Sequence, residues 1–216
     1  MSHVILAGFH RQLVNMDHTR KRMESLYRCG HITLRDIASV YEALFLRAVT
    51  FFEKYCETLF FSILEGRTCY SAKKVERNIK QASPRMFRVL VFQGQKYLDW
   101  LPFEKTEKRV ALYLCRRGPD RDCGRPFMDL ANNEKTTLQT IMTIRHAIAH
   151  SSEHAIRKFK QIVIGNQALL SREKTPAGFL RSQVSNAPVQ TRFEVYVADL
   201  GGIATRILGS PIKRPI

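Results

Sequence analysis

The sequence predicts an all-α protein, a helical bundle built on two long helices. Apolar residues recur in steps of three and four from Thr33 to Gly66 and again from Asn133 to Gly165. Glycine and proline gather between such stretches, and the chain holds no internal repeat or low-complexity tract.

The first long helix opens at Thr33-Leu-Arg-Asp36, a capping box in which the Thr hydroxyl and the acidic side chain satisfy each other's backbone amides. Ile37, Tyr41, Leu44, Ala48, Phe51, Tyr55 and Leu59 then mark its apolar face, and Gly66 suits its end because glycine tolerates the left-handed turn that closes a helix. A shorter helix is expected from about Glu104 to Leu114, after the Trp100-Leu-Pro102 break. Residues 116–126 read as a loop, since Gly and Pro punctuate them and no apolar period survives. The second long helix runs from about Asn133 through Leu138, Ile141, Ile144, Ile148 and Ile156 to Val163. From Val189 to Leu208 a further helix is expected, with Val195-Tyr-Val197 as a competing short strand and Gly201-Gly202 as a weak point. This divides the chain into an N-terminal basic extension (1–32), a helical core (33–165) and a C-terminal basic extension that packs on the core (166–216).

At 216 residues and 25.0 kDa, with 44% hydrophobic and 25% charged residues, the composition is that of one globular domain or two very small ones and excludes a disordered chain. Five cysteines form no CxxC pair and have no His at finger spacing, which indicates neither a disulfide framework nor a structural zinc site. The apolar runs fall far short of the roughly 20 residues that a spanning helix needs. The N-terminus lacks the basic and apolar regions of a secretory signal, so the protein is expected in the cytoplasm, off the membrane, with reduced thiols.

A formal net charge of +16 points to a polyanionic partner, above all nucleic acid. The charge is unevenly spread. Residues 36–65 carry Arg47 and Lys54 against Asp36, Glu42, Glu53, Glu57 and Glu65, so that stretch is not the anion-binding surface. Residues 66–96 carry Arg67, Lys73, Lys74, Arg77, Lys80, Arg85, Arg88 and Lys96 against Glu76 alone. Without acidic partners for helical pairing, Lys73, Lys74, Arg77, Lys80, Arg85 and Arg88 are the candidate RNA-binding residues.

Candidate chemistry lies in Thr143-Ile-Arg-His-Ala-Ile-Ala-His-Ser-Ser-Glu-His154. His146, His150 and His154 are four apart, so on one helix they drift about 40° per step and form a ridge. Arg145 lies about 100° from His146. A guanidinium beside imidazoles suits phosphodiester chemistry: arginine grips phosphate through two donors and histidine titrates near neutral pH. Ile144, Ala147 and Ile148 would face the core, with Ala149 admitting a neighbouring backbone. Spacing alone also fits ordinary polar residues on a helix surface. His150-Ser-Ser-Glu-His154 matches the HxxEH pattern of inverted zinc peptidases as well, with only Glu173, Glu194 and Asp199 downstream as a third ligand; the basic excess has no role in that reading.

Arg145-His-Ala-Ile-Ala-His150 resembles the R-x4-6-H signature of the HEPN superfamily, an all-α group of nucleotide- and RNA-handling domains, in which Asn, Asp or His follows the arginine as His146 does here. The aromatic-rich first helix, Tyr97-Leu-Asp-Trp-Leu-Pro-Phe103, Arg125-Pro-Phe127 and a late motif helix resemble a prokaryotic ribonuclease branch over residues 33–165. The resemblance implies a metal-independent endoribonuclease without cofactor, a toxin of a toxin–antitoxin or antiphage system, that dimerises so that two motifs line one cleft. Carried over, Arg145 would hold the scissile phosphate, His150 would transfer a proton or align the reacting groups, and His146 would support them. The 2′-hydroxyl is an internal nucleophile, so the expected ends are 2′,3′-cyclic phosphate and 5′-hydroxyl, and DNA should resist. Some HEPN toxins carry a tyrosine two residues beyond the motif histidine, where a nucleotidyltransferase antitoxin modifies it; Ser151-Ser152 offers none. A HEPN-like module that binds RNA or protein without cutting is the alternative.

Overall fold

Why the longest helix forms is plain at its two ends. A computed structural model describes residues 2–67, 83–114, 127–150, 152–186 and 189–209. There the Thr33 amide and hydroxyl donate to Asp36 Oδ2 at 2.8 and 2.7 Å, and the Asp36 amide returns a bond to Thr33 Oγ1 at 3.2 Å. The Thr33 amide, together with the Thr33 hydroxyl, holds the exposed Asp36 carboxyl below its ordinary pKa. The helix, α2 (Leu34–Leu64), closes at Gly66, whose φ of +73° only glycine adopts cheaply. Of the expected stripe, Ile37, Tyr41, Leu44, Ala48, Tyr55 and Leu59 are buried and Phe51 is half-buried.

The protein is mostly helical. The 27-residue α1 (Ser2–Arg28) precedes α2, and α3 (Pro84–Phe92), α4 (Phe103–Tyr113) and α5 (Asn132–His150) follow it. Next come α6 (Glu153–Phe159), which runs on as a π-helical turn (Lys160–Ile164), a 3-10 turn (Ser171–Lys174) and α7 (Pro176–Arg181). A hairpin of β1 (Gln183–Asn186) and β2 (Val189–Thr191) leads into α8 (Arg192–Ile207). The hairpin is antiparallel, with Gln183 opposite Thr191 and Asn186 opposite Val189, and a bulge between. No helix among the described residues is long and apolar enough to cross a membrane.

Several expectations change. The second long helix is cut: α5 stops at His150, and Ser152, with extended backbone, accepts the Ala155 amide at 3.3 Å and starts α6. Serine competes with the helix ladder by bonding to nearby backbone, so an unbroken apolar period did not protect the helix there. The strand lies at 189–191 rather than 195–197, and Val195-Tyr-Val197 is helical. Residues 116–126 lie outside the described residues. Within the stretch 1–32, α1 buries Phe9, Leu13 and Met16.

The chain divides into two compact units that do not follow 1–32, 33–165 and 166–216. One comprises Met1–Phe9, Phe52–Lys135 and Gly202–Ile216. Its core is aromatic: Phe9 stacks on Tyr55 at 5.3 Å, Phe60 meets Trp100 at 5.2 Å, and the Tyr55 hydroxyl donates to the Ala204 carbonyl at 2.7 Å. Such ring pairs add about 0.5–1.5 kcal/mol beyond the area they bury. The other unit comprises His10–Phe51 and Thr136–Gly201 and carries the motif. In it Tyr41 meets Phe193 edge-on at 5.5 Å, and Phe159 meets Phe179 at 5.8 Å.

Candidate functional site

The motif occupies the last turns of α5. Leu138, Ile141, Met142, Ile144 and Ala147 bury one face of that helix. Each large aliphatic chain there contributes about 1.5–3 kcal/mol on burial, which sets the orientation of the opposite face. On that opposite face His146 and His150, one turn apart, are both exposed; their rings stack with centroids 5.5 Å apart and planes 20° from parallel. Arg145 is half-buried. Ile148 is half-buried rather than in the core, and Ala149, expected to lie against a neighbouring backbone, is exposed.

His154 does not join the ridge. The Ser152 cap places it on α6, so the expected line of three imidazoles is a stacked pair and a separate, exposed residue. The same cap splits the HxxEH match, with His150 ending one helix and Glu153 and His154 opening the next. Among the described residues, no group of three or more His, Cys, Asp or Glu could hold a metal ion.

Of the candidate RNA-binding residues, Lys73, Lys74, Arg77 and Lys80 lie outside the described residues. Arg85 and Arg88 are exposed on α3, in the aromatic unit; Arg88 lies over the Phe61 ring at 4.7 Å and 3.9 Å from Glu57. Arg88 is thus partly committed to its own unit.

A second polar cluster in the motif-bearing unit escaped the sequence reading. Arg20, 6% exposed, donates to Asp17 at 2.8 Å, to the Tyr41 hydroxyl at 3.4 Å and to Glu194. The Tyr41 hydroxyl donates to Glu24 at 2.9 Å, and Arg181 grips the same carboxylate through two bonds of 2.8 and 3.2 Å while lying 4.3 Å over the Tyr27 ring. Glu194 uses its other oxygen to accept the Thr191 amide and hydroxyl at 2.7 and 2.9 Å. Burial pushes the Glu24 carboxyl up, but the bonds from Arg181 and Tyr41 and the charges of Arg181 and Arg28 outweigh it and hold it below its ordinary value. Burial likewise raises Asp17, and Lys21 and Arg20 more than reverse it. The Tyr41 phenol, pushed mainly by burial, rises to about 12 and stays a donor at neutral pH. One piece of the network was legible: Thr191-x-x-Glu194 is a second capping box, opening α8. The links that close it, Arg20 to Glu194 and Glu24 to Arg181, join positions more than 150 apart in sequence, which no local pattern signals.

No protein-family model, no curated protein and no solved structure matches this chain.

Proposed function

We propose that this protein is a metal-independent endoribonuclease that cuts by attack of the RNA 2′-hydroxyl on the adjacent phosphorus. The observation that carries the reading is the exposed, stacked His146–His150 pair at the end of a helix whose other face is buried, beside Arg145. Arg145 holds the phosphate and offsets the charge that builds on its oxygens. His150 takes the 2′-hydroxyl proton or supplies one to the departing 5′-oxygen, and His146 supports the phosphate and its partner imidazole. The new bond joins the 2′-oxygen to phosphorus, the bond to the 5′-oxygen breaks, and the products are a 2′,3′-cyclic phosphate and a 5′-hydroxyl.

An acid and a base are both needed, and a second copy of the chain supplies the second Arg145–His150 set, so the active species is a homodimer of helical bundles with a composite site. The excess of basic residues serves substrate capture, Arg85 and Arg88 among them with Lys73, Lys74, Arg77 and Lys80. The setting is the cytoplasm, and the role is that of a toxin or antiphage effector, restrained by a cognate antitoxin or regulatory protein.

The test is incubation of the full chain with end-labelled single-stranded RNA and matched DNA in excess EDTA, beside Arg145→Ala, with analysis of the new ends. Cutting of RNA alone, with cyclic phosphate ends and a loss of about 100-fold or more in the variant, is expected. Equal cutting of DNA, or dependence on added metal, would overturn the reading.

A further inference from the structure

A cleft of about 1330 Å3 opens in the motif-bearing unit, between the end of α1, the start of α2, the 3-10 turn with α7, and the hairpin. Its floor is the network of Arg20, Tyr41, Glu24, Arg181 and Glu194, where two guanidinium groups face two carboxylates and cancel. The mouth does not cancel. Arg28, Arg35 and Arg172 line it, all exposed, and none forms an ion pair among the described residues, while Lys21 is paired with Asp17 and Glu173 accepts the Leu170 amide. Arg172 stands on a fixed turn: a side chain at Gly178 would sit 1.9 Å from the Arg172 carbonyl, and the Gly178 amide donates to Thr175 Oγ1 at 3.1 Å. Between the arginines the mouth presents bare apolar chains, Leu34 at 55% exposure and Val189 at 60%.

We infer that this cleft is a docking site for an acidic peptide segment of a protein partner, whose carboxylates meet Arg28, Arg35 and Arg172 and whose apolar side chains cover Leu34 and Val189. Charge complementarity selects the occupant's sign. The exposed Leu34 and Val189 favour a peptide over a nucleic acid backbone, which would leave them uncovered. Among the described residues β2 pairs with β1 alone, which leaves its other edge open to an added strand. The inference stands apart from the ribonuclease reading, because its readout is binding and needs no RNA cleavage.

The test is fluorescence anisotropy on the full chain with a labelled decapeptide alternating glutamate and leucine. Replacing Arg28, Arg35 and Arg172 together by Gln should raise Kd about tenfold, and Leu34→Ser with Val189→Ser about threefold. A charge-matched variant, Arg11, Arg22 and Lys108 to Gln, should stay within about twofold, which removes the general field of a basic protein as the cause. All of these side chains are exposed, so unchanged melting temperatures show that each variant folds. No binding, equal weakening in the charge-matched variant, or tighter capture of a 2′-O-methyl oligouridine by the same three arginines would overturn the proposal.

Discussion

The end of α5 and the Arg20 network lie in the same compact unit and gather similar groups, arginine beside titratable side chains, yet they differ in what surrounds them. Around Arg20 every donor found is turned on a carboxylate or phenol of the chain itself, and Arg20 is buried. At α5 the two imidazoles are exposed and stacked on each other, on the last turns of a helix whose opposite face is packed by apolar side chains. The difference separates buried groups that hold the fold from exposed groups that, in the proposed reading, meet the ligand: the first cost more to remove from the folded state than the second.

The largest effect that would sharpen this contrast is on stability. Arg20→Ala should lower the unfolding free energy by about 3 kcal/mol, the low end for breaking a buried pair because Asp17 and Glu194 keep 29% and 24% of their side-chain exposure. Urea denaturation measures it, and a loss below about 1 kcal/mol would place the network with ordinary surface pairs. Acid should act next. The folded pKa values of Asp17 and Glu24 lie below their unfolded values, about 3.9 and 4.3, so their contribution is present above that range and lost as pH falls through the lowered values. Melting temperature should therefore drop below about pH 4, less steeply in Arg20→Ala because Asp17 has lost a partner there; a rise on acidification in that window would break the account. The smallest effect belongs to an exposed, local device: Thr33→Ala should cost about 1 kcal/mol by removing the α2 capping box.

What the sequence revealed follows the range of each interaction. The capping box, the stripe of α2 and α4 were legible because each depends on neighbours within a turn or two. The cut after His150 was legible in principle, since Ser151-Ser152-Glu153 offers a cap, but the apolar period across it masked the signal. Helix α1 was missed because its buried residues Phe9, Leu13 and Met16 are sparse among polar ones. The motif could be quoted from sequence, yet the separation of His154 from the His146–His150 pair depends on that cut. Apart from the Thr191–Glu194 box, the closure of the network and the cleft above it were illegible, because Arg20 with Glu194 and Glu24 with Arg181 meet only through packing.

The most direct measurement sets activity and stability side by side on one preparation of His150→Ala, with single-turnover cleavage of end-labelled RNA in EDTA and a thermal melt. The account predicts a loss of cleavage of about 100-fold or more with the melting temperature unchanged within about 1 °C. Cleavage retained at the wild-type rate, or lost only in step with the melting temperature, would contradict it.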